Sequence, residues 1–244
     1  MVRLFIDSEV VHVEEGTTIL EAARKIGIDI PTLCYFKDLN EIGACRICVV
    51  ELAGTERLIS SCNTLAEEGM EIYTNTEKVK RARKVNMGLI LSQHNGYCPT
   101  CVRNGNCQLQ TTASNLGMNG TPYNLDIPQF KWNEKVPLIR DDSKCIKCMR
   151  CTQVCDKVQD LNIWDTVYSG RRTSVGVSCN RTIEQADCAY CGQCITHCPT
   201  GALKERDDIS KVIREIDLDK KPIIRTGLNY AFSQLEKKEI LNLS

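Results

Sequence analysis

Two short apolar-rich runs, Arg3 to Ile6 and Val10 to Val13, lie on either side of the polar stretch Asp7-Ser8-Glu9. Such runs around a short polar turn predict two short strands. From Thr18 to Ile26 the apolar positions return at helical spacing instead, which predicts an amphipathic helix. The same spacing recurs from Val79 to Ser92, where Val79, Ala82, Val85, Leu89 and Ile90 predict a helix that delivers His94 just past its end. Thr121 to Phe130 carries two prolines and few helix formers, and reads as a linker. Toward the end Ile209, Val212, Ile213 and Ile216 form one helical face. Leu228, Phe232 and Leu235 form another, after a strand-like Pro222 to Ile224. Each face needs cover, either from the preceding part of the chain or from a partner.

Composition changes this picture in one respect. The 244 residues include 16 cysteines, whereas the 42% hydrophobic fraction is ordinary and the 5% aromatic fraction implies small cores. Basic and acidic side chains balance at 31 each, so there is no electrostatic case for a nucleic-acid partner. Charge interrupts the first apolar residues at once, which is unlike a secretory signal, and no stretch approaches the length of a membrane span. The expected setting is therefore cytoplasmic and reducing, where dense cysteine is better explained by metal than by disulfides.

The cysteines fall into four sets. Cys34, Cys45, Cys48 and Cys62 are spaced C-x10-C-x2-C-x13-C. Four thiolates suit a 2Fe-2S cluster, and Gly43 and Ala44 leave room for a loop to wrap it with backbone N–H groups aimed at sulfide. With the strands and helix ahead of it, this set suggests a ferredoxin-like β-grasp domain. Structural zinc would also accept four cysteines, though x10 and x13 are unusual for it. The second set reaches four ligands only with a histidine: His94, Cys98, Cys101 and Cys107. A neutral imidazole in place of a thiolate makes a cluster one unit less negative and tends to raise its potential.

The third and fourth sets are two runs of C-x2-C-x2-C-x3-C, at Cys145, Cys148, Cys151 and Cys155, and at Cys188, Cys191, Cys194 and Cys198 with Pro199 following. Paired runs mark the bacterial two-cluster ferredoxin, in which the fourth cysteine of each run crosses to the other cluster. The rule assigns Cys145, Cys148, Cys151 and Cys198 to one 4Fe-4S cluster, and Cys188, Cys191, Cys194 and Cys155 to the other. Fifteen cysteines and His94 then supply the sixteen ligands of four clusters. Cys179 is left over and reads as a buried structural residue. His197, inside the last run, reads as a surface residue, and His12 falls in a predicted strand.

These residues resemble the N-terminal iron-sulfur region shared by iron-only hydrogenases and the large iron-sulfur subunit of complex I. Ser92-Gln-His-Asn-Gly-Tyr-Cys-Pro-Thr-Cys followed by Asn104-Gly-Asn-Cys-Gln-Leu-Gln110 is similar to that family's histidine-ligated cluster motif. The resemblance covers about Val2 to Leu203, and the complete second run ending Cys198-Pro-Thr-Gly-Ala-Leu203 looks more like the hydrogenase branch. It implies one 2Fe-2S and three 4Fe-4S clusters passing single electrons between a flavin- and NAD(P)-binding subunit and a distant site. Such relatives include electron-bifurcating hydrogenases, transhydrogenases and formate dehydrogenases of anaerobes, and ferredoxin is a possible further partner. Glu205 to Ser244 contains no cysteine, so the hydrogen-activating domain that follows in the hydrogenases is not expected here.

The expected architecture is α+β. It comprises a 2Fe-2S ferredoxin-like β-grasp domain (1–75), a small helical domain with one histidine and three cysteine ligands for a 4Fe-4S cluster (76–120), and a linker (121–140). A two-cluster bacterial ferredoxin-like domain (141–206) and a C-terminal docking or packing tail (207–244) follow. The chain has no G-x-G, no Gly-Lys pair for a P-loop, no serine elbow and no H-E-x-x-H. The expected role is thus electron transfer without bond chemistry, in a subunit of a multi-subunit oxidoreductase. A diffusible polyferredoxin, a zinc-stabilised scaffold and a fragment of a longer hydrogenase are the alternatives.

Overall fold

The computed structural model describes residues 1–127 and 129–217. Val2–Ile6 (β1) and Glu9–Val13 (β2) form an antiparallel hairpin in which Val2 faces Val13 and Ile6 faces Glu9. Its turn residues Asp7 and Ser8 both have positive φ, 48° and 73°, the backbone that matches the right-handed twist of the flanking strands. Leu4, Ile6, Val11 and Val13 are the inward half of the alternation and are buried. They pack beneath Ile19–Lys25 (α1), whose first turn is capped by Thr18 Oγ1 accepting from the Glu21 N–H at 3.3 Å. Val49–Leu52 (β3), Leu58–Ser60 (β4) and Glu71–Tyr73 (β5) complete a sheet of order β2-β1-β5-β3-β4, with β5 parallel to β1 and the other pairs antiparallel.

Glu77–Ser92 (α2) begins two residues before its predicted start because Thr76 caps it, accepting from the Val79 N–H at 3.2 Å. Gln108–Asn115 (α3) follows. The remaining elements are Leu138–Arg140 (β6), Arg150–Lys157 (α4), Trp164–Val167 (β7), Ser174–Val177 (β8), Gln193–Thr196 (α5), Leu203–Glu205 (β9) and Ile209–Asp217 (α6). β6 pairs with β9 across the two cysteine runs, and β7 pairs with β8.

Three apolar clusters hold this arrangement. One lies between the five-stranded sheet and α1, and one is built from the region Val136 to Leu203 together with Leu39. The third joins Leu33, Cys34 and Ile47 to Met87, Leu109 and Ala113, and to Ile146 and Cys148. The segments expected as three separate domains therefore share one interior. Fusing small cores in this way offsets the poor surface-to-volume ratio that each would have alone.

On α6, Ile209 is 70% and Ile213 53% exposed, while Val212 is partly buried. The expectations for Pro222 to Ile224 and for Leu228, Phe232 and Leu235 lie outside the described residues. Among the described residues no helix is long and apolar enough to cross a membrane.

Candidate metal centres

The loop after α1 carries Cys34, Cys45 and Cys48, and Cys62 follows β4. Cys34, Cys48 and Cys62 are buried and Cys45 partly so. Gly43 takes φ 64°, and a Cβ there would lie 2.9 Å from Asn63 Nδ2, so the turn that returns the chain to Cys45 needs glycine. The four sulfurs are brought together. Hydrogen bonds from the Cys45 and Cys62 thiols pull the Cys34 thiol far below its ordinary range. Cys45 and Cys62 are pushed far up by the same bonds to Cys34, while a bond from Cys62 brings Cys48 down to about 7. A negative charge shared among gathered sulfurs is the state that a cationic iron centre would complete.

His94 lies two residues beyond α2, its N–H bonded to the Leu91 carbonyl at 3.2 Å. It is 8% exposed, and its Nδ1 has no hydrogen-bond partner among the described residues. Burial pushes its pKa down, which keeps the ring neutral. A buried ring nitrogen without a partner is costly unless something ligates it. Cys98 opens a single 3-10 turn, Cys101 closes it, and Cys107 starts α3. Cys101 Sγ lies 2.8 Å from where a Cβ on Gly201 would stand, and Cys107 Sγ lies 3.9 Å from the Pro199 carbonyl. Arg103 Nη2 donates to the Ile195 carbonyl at 3.2 Å. The structure thus sets two of the three thiols against the stretch that follows Cys198, with Cys98 and His94 held on the same loop.

The two runs repeat one backbone device. Lys147 and Met149 flank Cys148 with φ 55° and 65°, and Tyr190 and Gly192 flank Cys191 with φ 50° and 76°. Such left-handed residues are uncommon outside glycine, and their recurrence at matched positions turns backbone N–H groups toward sulfur. The Tyr190 N–H meets Cys188 Sγ at 3.4 Å, and the Ile163 N–H meets Cys155 Sγ at 3.4 Å. Cys145, Cys148, Cys151 and Cys198 line one cavity together with Arg140, Val175 and Leu203. Cys155, Cys188, Cys191 and Cys194 line another, of about 530 Å³, with Ile163 and Trp164. The fourth cysteine of each run therefore faces the first three of the other. Burial pushes Cys148 and Cys194 up to about 12 and Cys151 well up, so these thiols are neutral until a metal displaces their protons.

The first set abuts the third. Asn40 Nδ2 donates to the carbonyls of Cys34 and Cys148, at 2.7 and 2.8 Å. Arg150 Nε and Nη2 donate to the carbonyls of Cys34 and Tyr35, at 3.1 and 2.8 Å. Neither residue figures in the sequence-derived site. The available signal was the arginine between Cys148 and Cys151, where the second run has Gln193.

One expectation is corrected. Cys179 is exposed, on a left-handed turn at φ 60° after β8, so it is not a buried structural residue. His197 is partly buried, with Nδ1 2.8 Å from the Gln193 carbonyl and its ring 5.1 Å from that of Phe36. His12 is an exposed residue of β2.

A β-grasp sheet presenting four gathered thiols, followed by two ferredoxin runs with crossed cysteines, defines an iron-sulfur protein. Residues 1–77 match the 2Fe-2S iron-sulfur cluster binding domain, residues 83–122 the NADH-ubiquinone oxidoreductase-G iron-sulfur binding region, and residues 144–202 the 4Fe-4S dicluster domain. The chain carries these three domains in series. It is 36% identical over 234 residues to an NADP-reducing hydrogenase subunit of Solidesulfovibrio fructosivorans, covering 93% of this chain and 40% of the relative. It is 37% identical over 204 residues to the NADPH-Fe(3+) oxidoreductase alpha subunit of Geobacter sulfurreducens, covering 83% and 24%. A subunit of the NADH-quinone oxidoreductase of Rhizobium meliloti is 34% identical over 206 residues, with coverage of 83% and 24%. The chain thus spans well under half the length of these relatives. Among solved structures, a chain of an NAD+-reducing NiFe-hydrogenase in its H2-reduced state aligns with a TM-score of 0.77 and 26% identity, covering 84% of this chain and 87% of that one.

Proposed function

We propose that this chain is the iron-sulfur relay of a cytoplasmic, multi-subunit NAD(P)H-linked oxidoreductase. In this reading it passes single electrons between a flavin- and NAD(P)-binding subunit and ferredoxin or another catalytic subunit. The observation that carries the proposal is the packing of the first three ligand sets around one shared interior, with Asn40 joining the first set to the third, the stretch after Cys198 touching the second, and the third and fourth sets sharing a neighbouring core. Electron transfer requires carriers held rigidly and close in series, and that packing supports it.

The ligands in this reading are Cys34, Cys45, Cys48 and Cys62 for a 2Fe-2S cluster, and His94, Cys98, Cys101 and Cys107 for a 4Fe-4S cluster. Cys145, Cys148, Cys151 and Cys198 hold a second 4Fe-4S cluster, and Cys155, Cys188, Cys191 and Cys194 a third. The clusters, when bound, supply the one-electron carriers. The chain's own residues hold and insulate them. The left-handed turns aim N–H groups at sulfur, and the buried ring of His94 offers an unpartnered nitrogen. The ligand sets divide the chain at about residues 75, 120, 140 and 206, with the tail from 207 onward available to pack or to dock.

Anaerobic purification from the native host at low salt, followed by mass and subunit analysis, tests the proposal. A large assembly containing a flavin- and NAD(P)-binding chain is the expected result. A brown species of about 27 kDa alone refutes it in favour of a diffusible ferredoxin, the mass being that of this chain.

A further inference from the structure

Arg150 is a buried cation without an anion. It is 7% exposed, and among the described residues no carboxylate lies within ion-pair distance of it. Its hydrogen bonds go to the neutral carbonyls of Cys34 and Tyr35, and its guanidinium carbon stands 5.6 Å from the centroid of the Phe36 ring. The fold treats Arg140, a buried arginine of the same region, in the usual way, by pairing it with Asp142. An arginine keeps its charge in a protein, and a buried charge left unpaired is strongly unfavourable. An anion facing Arg150 would offset that cost.

Two cysteine sets lie beside it, and they are thiolates once they bind metal. Arg150 stands in sequence between Cys148 and Cys151, and its side chain ends on the backbone of Cys34. The single nitrogen of Asn40 that bonds both Cys34 and Cys148 shows how closely the two groups approach. A cluster bound by four thiolates is anionic, and reduction makes it one unit more negative, so a fixed cation nearby favours the reduced form. The second run has Gln193 at the matching place, so the backbone of the run does not itself require arginine.

We propose that Arg150 is the shared counter-charge of the clusters held by the Cys34 set and the Cys145 set, and that it raises the reduction potentials of both together. It is a positioning residue that acts through its charge. The inference rests on the ligand sets of the proposed relay, but equilibrium potentials do not depend on which partners the relay serves. Failure here and failure of the relay reading are therefore distinguishable.

The test is an EPR-monitored potentiometric titration of the full chain with its clusters, for the wild type and for Arg150→Met, Arg150→Gln and Arg150→Lys, with iron content measured on each. The neutral variants are expected to keep their iron and to shift two signals, the 2Fe-2S signal and one 4Fe-4S signal, to lower potential. The other two signals stay in place. Arg150→Lys, which keeps the charge but loses the forked hydrogen bonds, leaves all four near wild type. Should Arg150→Met fail to fold, Arg150→Gln supplies the neutral arm, with the residue the second run already uses. The proposal is overturned if the neutral variants leave both potentials unmoved or if Arg150→Lys shifts them as far as Arg150→Gln does. Loss of iron from both neutral variants also overturns it, since Arg150 would then serve cluster assembly and not potential.

Discussion

Met87→Ala tests whether the ligand sets are carried by one cooperative body. Met87 is fully buried on α2, in the apolar cluster that also takes in Leu33 and Ile47 ahead of it and Ile146 and Cys148 after it. The substitution removes Cγ, Sδ and Cε from that interior. At about 0.8 kcal/mol per buried methylene-sized group, the lost transfer energy is about 2.4 kcal/mol. The cavity left behind brings the cost to about 3–4 kcal/mol, within the usual range of ~2–5 for such truncations. Cluster loss makes unfolding irreversible, so the useful quantity is a rate. In a fixed concentration of guanidinium, the 2Fe-2S and 4Fe-4S signals in visible circular dichroism should bleach together, faster than wild type by roughly several hundred-fold if the contact is absent from the unfolding transition state. Val11→Ala is the contrast, because Val11 lies only in the core between the sheet and α1. In one cooperative body it too should bleach all the signals together, accelerated by a smaller factor because fewer atoms are removed. If Met87→Ala bleaches the 4Fe-4S signals quickly while the 2Fe-2S signal decays at its wild-type rate, the shared interior does not couple the segments and the reasoning fails.

Three further outcomes are expected. Cys198→Ala should abolish the cluster of the Cys145 set and spare that of the Cys188 set, as read by EPR of the reduced protein; loss of the Cys188-set signal instead would mean that the runs are not crossed. His94→Ala should lose about one cluster's worth of iron, whereas His94→Cys should keep the iron but lower the potential of one signal, since a thiolate adds negative charge; full iron in His94→Ala would remove the histidine from the ligand set. Anaerobic iron chelation should leave a chain without native far-ultraviolet circular dichroism, because buried thiols form part of all three cores; a native-like spectrum in the apo-protein would show that the cores suffice alone.

Much of this was legible in the sequence, for reasons that differ by element. The hairpin of β1 and β2 has two apolar runs around a polar turn and α1 has helical spacing, and helix starts moved by one or two residues only because Thr18 and Thr76 act as caps. The run spacing carries the expectation that Cys155 and Cys198 cross between clusters, and Cys198 lines the cavity of the first run while Cys155 lines that of the second. The shared interior was not legible. Leu33, Ile47 and Ile146 are single apolar residues in irregular loops, where no period exists to reveal which way they face. Arg150 was hidden differently, since a charged residue inside a cysteine run looks like solvent-facing decoration until its hydrogen bonds are seen. Cys179 was misread because burial was inferred from the habits of its residue type, while its turn after β8 turns it outward.

The bonds from Asn40 and Arg150 also set an order of events during synthesis. The carbonyls of Cys34 and Tyr35 receive donors from residue 150, more than a hundred positions downstream. On a ribosome adding about 5–20 residues per second, the sheet of the first segment is therefore outside the exit tunnel for several seconds or more before those donors exist. Through that interval the first cysteine set faces water on the side that the third will later seal. The N-terminal segment is born as an open cup, and the chain that follows is its lid: a metal centre at Cys34 would be most accessible before translation reaches the second half, and would be sealed from water only once the second half has closed over it.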